Sequence, residues 1–174
     1  EVLIPEDVTG IEVLSEYQHV SMFVGGSEQI KYMVLPLNAT NQKVEFKSLN
    51  ENIAIVDENG VITGVSEGNT SVILTTEEGH FTAECTIHVD EIDVKNVDRI
   101  SEKSIVMDIN QTYQLLIHIE PENATNKTMQ WSSNNMAVVS VDNNGLIKAK
   151  ASGYAIITAT AVNGKKTDFY IEVK

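Results

Sequence analysis

The chain repeats itself with a period of 85 residues. When residues 36–79 are compared with residues 121–164, 15 of the 44 aligned positions are identical, whereas chance pairing at ordinary composition gives about three. The matched residues are mainly turn formers and include Pro36/Pro121, Asn38/Asn123, Ala39/Ala124, Thr40/Thr125, Asn41/Asn126, Asp57/Asp142, Asn59/Asn144, Gly60/Gly145 and Gly68/Gly153. An internal repeat fixes the number of domains before any site is considered. We therefore predict two similar domains, over residues 1–90 and 91–174.

The charge of the chain restricts its partners. Hydrophobic residues make up 42% and charged residues 21% of the sequence, which is typical of a soluble globular protein. The formal net charge is −13, and residues 1–90 carry 15 acidic against 3 basic side chains. Because an acidic surface repels phosphate, nucleic acid and anionic membranes are unfavourable partners. The acidic half could attract a cation or a basic partner, but we favour an ordinary solvated exterior.

No segment indicates insertion into a membrane. The apolar stretch at residues 155–161 is interrupted by threonines and is much shorter than a bilayer span. Residues 1–7 are acidic and lack the basic and apolar regions of a signal peptide. We therefore expect a mature or excised part of a larger protein.

The single cysteine, Cys85, cannot form an intrachain disulfide. It alternates with Ile87 and Val89 on one face of a predicted strand, which indicates a small buried side chain and not a nucleophile. The domains are therefore expected to be stable through packing alone, in either a secreted or an intracellular setting.

Alternation of apolar and polar residues dominates the sequence and predicts an all-β fold, since no window favours a capped amphipathic helix. Each copy has two predicted strands before a shared proline, through Val20, Met22 and Val24 and then Ile30, Tyr32 and Val34 in the first copy, and through Ile105, Met107 and Ile109 and then Leu115, Ile117 and Ile119 in the second. A proline cannot donate to a β-ladder, so Pro36 and Pro121 are predicted to end a strand or to lie at an edge.

The middle of each copy predicts a core aromatic and a hairpin. Phe46 and Trp131 occupy the same position, and we predict each to be the centre of its domain's core. The Asn-Gly pair at Gly60, repeated at Gly145, lies between β-branched runs and predicts a tight turn, because both residue types tolerate a positive φ. About seven strands in each copy, with turns at regular intervals, predict a two-sheet sandwich of the immunoglobulin type. The last hairpin loop is one residue shorter in the second copy.

These residues resemble a known family, the bacterial Ig-like group 2 (BIG2) domains. The resemblance lies in an aromatic-x-Ser motif, Val-Asp-x-x-Gly-x-Ile, a glycine corner and a threonine-rich strand, and it covers residues 8–89 and 94–174. The second copy matches more closely, whereas the first has Phe46 in place of Trp and Leu49 in place of Asn. The resemblance implies two tandem immunoglobulin-like β-sandwich domains, of a kind found on bacterial and phage surface proteins and often in adhesins. It implies no shared catalytic residues.

Two polar patterns invite a site, and for both we favour a structural interpretation. The Asp-x-Asn-Gly turns place several oxygens close together, at Asp57, Glu58 and Asn59 and at Asp142, Asn143 and Asn144. A calcium loop of the EF-hand type needs ligands over a longer segment and a distal glutamate, so turn chemistry is the favoured explanation. The glycosylation pattern Asn-x-Ser/Thr occurs at Asn38, Asn69, Asn110, Asn123 and Asn126. Because the resemblance is bacterial, we expect these side chains to be unmodified loop hydrogen bonders.

No catalytic constellation is visible. Nucleophilic catalysis needs a base beside a serine or cysteine, and the four histidines occupy different positions in the two copies: His19, His80, His88 and His118. No nucleophile elbow, phosphate-binding glycine loop or His/Cys metal spacing occurs. Glu77 and Glu78 lie in a predicted hairpin loop, where a solvated tip is expected. We predict no catalytic, cofactor-binding or metal-binding residue and no cofactor.

The predicted function is that of a non-catalytic, extracellular module of a bacterial cell-surface or secreted protein. It would act as a structural spacer or cell-adhesion element that presents flanking domains or binds a host protein or glycan. The alternative is an accessory module of a secreted polysaccharide-degrading enzyme. Residues 90–93, between the copies, contain neither glycine nor proline, which predicts a short and stiff connection that strings the domains into a rod.

Overall fold

The computed structural model describes residues 6–174. The signal-peptide prediction concerned residues 1–7, and of these residues 1–5 lie outside the described residues. The chain divides into two units between Glu91 and Ile92. The strands of the first unit are β1 (Gly10–Val13), β2 (His19–Phe23), β3 (Ser27–Gln29), β4 (Tyr32–Leu35), β5 (Val44–Ser48), β6 (Ala54–Val56), β7 (Val61–Gly64), β8 (Gly68–Thr76) and β9 (Thr82–Asp90).

The second unit repeats this order of elements. Its strands are β10 (Asn96–Arg99), β11 (Ser104–Met107), β12 (Thr112–Gln114), β13 (Ile117–Glu120), β14 (Met129–Ser133), β15 (Val139–Val141), β16 (Leu146–Ala149), β17 (Gly153–Ala161) and β18 (Lys166–Val173). One short 3-10 turn, Ser15–Tyr17, accompanies the strands of the first unit. In the part of the chain that the structure describes, no helix has the length and apolar character needed to cross a membrane.

Each unit is a sandwich of two layers. In the first unit the larger sheet has the order β2-β9-β8-β5, and the opposite layer contains β3-β7-β6 and the ladder of β1 with β4. The second unit has the same arrangement, with β11-β18-β17-β14 in one layer and β12-β16-β15 and β10-β13 in the other. The first strand of each larger sheet runs parallel to the closing strand, and the other pairs are antiparallel. The predicted fold class, two tandem immunoglobulin-like β-sandwiches, is therefore confirmed.

The shared prolines end strands, as predicted. Strand β4 ends at Leu35, directly before Pro36, and β13 ends at Glu120, directly before Pro121. Both prolines follow cis peptide bonds. The carbonyl of each proline accepts a hydrogen bond from the backbone N–H three residues later, at 2.8 Å in the first unit and 3.0 Å in the second. The same turn therefore leaves the sheet in both copies.

The strand count differs from the prediction of about seven. Each unit contains nine strands within the described residues. The short strands β1 and β10 were not predicted, and neither was β3, which ends at Gln29, before the strand predicted through Ile30 and Val34. β3 and β4 are separate strands because β3 pairs with β7 while β4 pairs with β1. The backbone N–H of buried Ile30, which lies between them, bonds the Gly60 carbonyl at 3.0 Å.

The two shared aromatics are not the centres of the cores, which corrects the prediction. Phe46 and Trp131 are half-buried, because β5 and β14 are edge strands of their sheets. Each ring instead lies under the glycine of the hairpin turn. A Cβ on Gly60 would lie 2.8 Å from Phe46 Cζ, and a Cβ on Gly145 would lie 2.7 Å from Trp131 Cζ2. Both glycines also have positive φ, at 75° and 79°, so neither backbone nor space suits another residue.

The centre of each core is formed by other side chains. In the first unit it is aliphatic and includes fully buried Ile62 and Leu74, whereas the largest fully buried side chain of the second unit is Phe169. Phe169 occupies the position of Cys85 in the closing strand, and both are fully buried. Burial raises the pKa of the Cys85 thiol to about 11, which agrees with the predicted inert side chain.

Each shared aromatic ring packs against a second ring, which comes from the same sheet in the second unit and from the opposite layer in the first. Phe169, on β18, stacks on Trp131 with a centroid distance of 6.1 Å and an interplanar angle of 26°. In the first unit the partner of Phe46 is Tyr32, on β4 of the other layer, at 5.5 Å and 69°. The shared ring beneath each hairpin turn is thus paired with a second ring, half-buried Tyr32 in the first unit and fully buried Phe169 in the second.

Candidate functional site on the outer sheet faces

The Asp-x-Asn-Gly residues are occupied by the turn itself. Asp57 Oδ1 accepts the backbone N–H of Val61 at 2.8 Å and that of Asn59 at 2.9 Å. These two hydrogen bonds, that of Val61 first, lower the pKa of the Asp57 carboxyl. Asp142 accepts the amides two and four residues ahead in the same way, at 2.8 and 2.9 Å. Only the glycine of each Asn-Gly pair takes a positive φ. The geometry therefore supports the turn interpretation.

The serine of the aromatic-x-Ser motif also has a structural role. Ser48 Oγ donates to the Ala54 carbonyl at 2.6 Å and accepts the Asn50 amide at 3.3 Å. Ser133 makes the equivalent pair of bonds at 2.7 and 3.2 Å. Each serine thus ties the end of an edge strand to the strand that follows it. The motif residues shared by the two copies maintain the sandwich.

The asparagines of the glycosylation pattern lie at exposed positions, mostly in loops. Asn38 and Asn123 follow the shared prolines, and Asn126 Oδ1 accepts the amide of Thr128 at 3.0 Å. Asn110 adopts a positive φ of 72° in the turn between β11 and β12. Asn69 is the exception, because it lies on strand β8 and its Oδ1 is 2.8 Å from His88 Nδ1.

Both hairpin carboxylates are hydrogen-bonded, and Glu77 is exposed while Glu78 is half-buried. Glu77 Oε2 accepts Asn41 Nδ2 at 2.8 Å, and Lys43 Nζ lies 3.5 Å from Glu77 Oε1. Asn41 first, and then the charge of Lys43, lower the pKa of Glu77. Glu78 Oε1 accepts the backbone N–H of Val8 at 3.4 Å. Within residues 6–174, no group of three or more His, Cys, Asp or Glu side chains is placed to hold a metal ion.

The structure brings together two histidines that are 69 positions apart in the sequence. His19 on β2 and His88 on β9 project from the same outer face, because β2 pairs with β9. His19 Nδ1 is hydrogen-bonded to Thr86 Oγ1, and His88 Nε2 lies 3.1 Å from Asp90 Oδ1. The other two histidines lie elsewhere: His80 is in the β8–β9 turn, and His118 is on β13. Alternation of polar and apolar residues predicts that His19 and His88 point outward, but only the pairing of β2 with β9 shows that they lie on the same face.

A groove of about 650 Å³ crosses this outer face of the first unit. We call it the polar groove, since the outward side chains along it are His19, Ser21, Asn69, Ser71, Thr86 and His88. The buried Thr70 Oγ1 also borders it and is the one buried side-chain nitrogen or oxygen of residues 6–174 that lacks a hydrogen-bond partner. No motif of the sequence indicates this groove.

The second unit has a groove of about 410 Å³ on the corresponding face. We call it the tyrosine groove, and its outward side chains are Ser104, Val106, Asn134, Tyr154, Ile156, Tyr170 and Glu172. Every strand that forms it is the counterpart of a strand beneath the polar groove. Asn69 of the first unit corresponds to Tyr154, and Thr86 corresponds to Tyr170. The two grooves therefore lie at equivalent places in the two units but are lined by different side chains.

The fold and these surfaces define a class of protein, a tandem pair of immunoglobulin-like modules whose repeated residues build the scaffold. The family model described as "Bacterial Ig-like domain (group 2)" matches residues 7–87 and 93–169. The chain belongs to this family, which confirms the resemblance seen in the sequence. Domains of this family are typically non-catalytic modules.

Similar proteins are found in bacteria and in a phage. The chain is 29% identical over 145 residues to an uncharacterized protein of Clostridium acetobutylicum, which covers 83% of the chain and 15% of that protein. It is 32% identical over 139 residues to an Ig-like virion protein of Serratia phage KSP90, covering 78% of the chain and 54% of that protein. It is also 32% identical over 65 residues to a 3-O-alpha-D-galactosyl-alpha-L-arabinofuranosidase of Bifidobacterium longum subsp. longum, covering 37% of the chain and 6% of that enzyme. These relatives are all longer than the chain.

Proposed function

We propose that the chain is a non-catalytic, extracellular module of a bacterial surface or secreted protein, in which it acts as a spacer and cell-adhesion element. One observation carries this proposal. The residues that the copies share, such as Asp57, Ser48 and Gly60, are engaged in turns and strand ends, whereas the outward positions of the larger sheets differ. A scaffold that is kept while its exposed face changes suits a module whose exterior meets different surroundings.

The reactive groups support a non-catalytic role, because the thiol is buried and the two neighbouring histidines lie on an open face. The Cys85 thiol is buried and has its pKa raised to about 11, so it holds little thiolate at neutral pH. His88 is bonded to Asn69 and Asp90 on an open face. General acid–base catalysis needs such groups to converge on an enclosed substrate.

The surface location is supported by the family and by the relative that is a virion protein. The partners proposed from the sequence remain a host protein or glycan, together with flanking domains of a longer polypeptide. The relatives agree with the second of these, since the chain spans only 15% and 54% of the first two.

A second candidate function is an accessory module of a secreted polysaccharide-degrading enzyme. The observation that favours it is the similarity of 65 residues to part of an arabinofuranosidase, of which the chain spans 6%. In that setting the same sandwiches would space a catalytic domain from its substrate or from the cell. A glycosidase domain on the same polypeptide would favour this candidate, and cell-wall anchoring repeats would favour the adhesion element.

The proposal is tested by locating the protein and by assaying the chain. Antibodies against residues 6–174 are expected to label intact cells or culture medium, and labelling only after lysis would contradict an extracellular role. The purified chain is expected to give no turnover in a panel of glycosidase, esterase and peptidase substrates. Turnover that a single carboxylate substitution abolishes would refute the non-catalytic assignment.

A further inference from the structure

We propose that the tyrosine groove of the second unit is a carbohydrate-binding site, with Tyr154 and Tyr170 as the platform on which a pyranose ring stacks. This inference deepens the proposed adhesion function and rests on it, because it assigns that function a ligand class and a set of residues. The polar groove of the first unit provides the comparison within the same chain.

The groove presents an exposed and contiguous apolar surface. Tyr154 is 73% exposed, Val106 is 56% exposed and Tyr170 is 43% exposed. Strand register makes them neighbours, since Tyr170 is opposite Ile156 while Glu172 is opposite Tyr154 on one side and Val106 on the other. Tyr154 and Tyr170 are therefore diagonal neighbours on one face of the sheet. Contiguous exposed apolar groups of this kind mark binding surfaces, whereas single ones are ordinary.

Packing does not explain these side chains. The four outward apolar residues of the tyrosine groove are replaced by small polar residues at the same positions of the first unit: Val106 by Ser21, Tyr154 by Asn69, Ile156 by Ser71 and Tyr170 by Thr86. The first unit forms the same strands in the same register with these polar residues. The sandwich therefore does not need aromatic rings here, and all four positions on three strands differ together.

The polar groups at the margin of the groove match the hydroxyl groups of a sugar. Asn134 Oδ1 accepts the backbone N–H of Ile156 at 2.7 Å, which fixes the amide, and its Nδ2 has no partner among the described residues. Glu172 Oε1 lies 3.4 Å from the Tyr154 hydroxyl and offers acceptors beside the ring. The hydroxyl of Ser104 lies next to Tyr170 in the parallel ladder. Amide donors, carboxylate acceptors and hydroxyls are the groups that pair with vicinal sugar hydroxyls.

The aromatic rings supply the other half of sugar recognition. One face of a pyranose carries several C–H groups and packs flat against an aromatic face, which attracts their partial positive charge. Lys103 Nζ lies over the Tyr170 ring, 5.3 Å from its centroid, so a sugar must displace this exposed lysine or stack mainly on Tyr154, with the ammonium as a donor at the margin. A site that combines flat apolar faces with fixed polar groups is selective for ligands that are themselves amphipathic.

The size and charge of the site disfavour other occupants. Its volume of about 410 Å³ lies in the range of small-ligand sites, roughly 300–1,000 Å³, and suits a short oligosaccharide. A standard protein interface buries about 800 Å² on each partner, with an apolar centre depleted of charge. Here Glu172 and Lys103 border the rings directly. Nucleic acid and anionic lipid are disfavoured because residues 91–174 carry 10 acidic against 9 basic side chains and so have no basic excess to bind phosphate.

The test is a titration of the ¹⁵N-labelled chain, followed by NMR, with maltotriose, cellotriose, N-acetyllactosamine and N,N′-diacetylchitobiose in separate experiments. The double variant Tyr154→Asn/Tyr170→Thr carries the residues that the first unit has at these positions, so it is expected to fold. The matched control is Tyr113→Asn, which removes another exposed tyrosine of the second unit, on the opposite layer. The fluorescence of Trp131 reports whether the second unit is folded in each variant.

At least one of the four sugars is expected to shift amide signals of β17 and β18. The double variant should weaken its binding about tenfold or more, which is the effect of losing roughly 1.4 kcal/mol of ring stacking. Tyr113→Asn should bind within about twofold of the original chain. Failure of all four sugars to shift these signals, shifts confined to another surface, or equal binding by the double variant would each overturn the inference. Binding of peptides but not sugars at the groove would also overturn it. None of these results bears on whether intact cells are labelled, so the proposed function can survive the loss of this site.

Discussion

Replacement of Phe169 by alanine should destabilise the second unit selectively. The ring is fully buried, stacks on Trp131 at 6.1 Å and is the largest fully buried side chain of the chain's described residues. It is surrounded by Met107, Leu115 and other members of the same core cluster. No smaller side chain at this position can fill the space without movement of strands from both layers. The variant therefore leaves a cavity at the centre of the sandwich.

The expected loss follows from the transfer of the ring and from the cavity. Truncation of a fully buried phenylalanine costs about 3–5 kcal/mol, which includes about 0.5–1.5 kcal/mol for the aromatic pair with Trp131. A domain of this size has a free energy of unfolding of about 4–12 kcal/mol, so the change removes a large share of it. With a denaturant slope of about 1.5 kcal/mol/M, the urea midpoint should fall by about 2–3 M. Phe169→Leu retains part of the side chain and should lose about 1–2 kcal/mol.

The chain carries a separate intrinsic reporter in each unit. Trp131 is the only tryptophan, so its fluorescence follows unfolding of the second unit. Cys85 is the only cysteine and is buried in the first unit, so its reaction with a thiol reagent follows unfolding there. Urea titrations monitored by both signals should show that Phe169→Ala shifts the tryptophan transition while the thiol transition stays in place. Leu74→Ala, in the core of the first unit, is the reciprocal control.

Two results would refute this reasoning. A shift of the tryptophan transition below about 1 kcal/mol for Phe169→Ala would mean that the ring is not central to the core. Equal shifts of the tryptophan and thiol transitions would mean that the two cores do not unfold as separate units. Phe169→Leu keeps the comparison measurable if the alanine variant does not fold.

Three further predictions concern the first unit and the connection. Cys85 should resist Ellman's reagent at pH 8 in the folded chain and react promptly in denaturing urea, and prompt reaction without urea would contradict its burial. Because folding lowers the pKa values of Asp57 and Glu77, their stabilising hydrogen bonds are present above the unfolded pKa values of these carboxyls and are lost as the pH falls through the lower folded values. The variant Asp57→Asn/Glu77→Gln should therefore lose less melting temperature, relative to its own value at pH 7, on acidification, and an unchanged loss would contradict this assignment. The connection is expected to be stiff, so one interdomain arrangement should fit the X-ray scattering of the original chain. For a variant with a Gly-Ser insertion after Glu91, several arrangements should be needed to fit the data. A wide ensemble of arrangements for the original chain would contradict the stiff connection.

Local patterns predicted the sandwich correctly because its turns are encoded locally. Pro36 ends its strand through its own missing donor, and Gly60 takes the positive φ that the hairpin requires. Asp57 closes the same turn by bonds to amides two and four residues away. Each of these effects spans only a few residues, so it is visible in sequence spacing. The 85-residue repeat shows that the same turn residues recur in the second copy.

The errors arose where the answer depends on strand pairing. Residues 27–35 pass from one ladder to another, because β3 pairs with β7 while β4 pairs with β1, and alternation does not reveal a change of partner. Phe46 is large and apolar, which predicts burial, but only the sheet order places β5 at an edge. The grooves were missed for the same reason, since each one joins a hairpin, β8 with β9 or β17 with β18, to a strand that is distant in sequence, β2 or β11.

The same dependence on pairing explains how two copies of one scaffold can acquire different surfaces. In the larger sheets, inward positions such as Cys85 and Phe169 are coupled to their neighbours. Where the first copy has the small Cys85, its shared aromatic Phe46 packs on Tyr32 of the opposite layer, whereas in the second copy Phe169 itself packs on Trp131. Outward positions such as Thr86 and Tyr170 are adjacent in sequence to these core residues but share no core contact with them. A substitution there therefore changes the groove and leaves the packing intact. The motif residues maintain the fold, so they do not indicate a binding surface. The outward positions are free to differ between the copies, and their differences therefore identify the candidate binding surface.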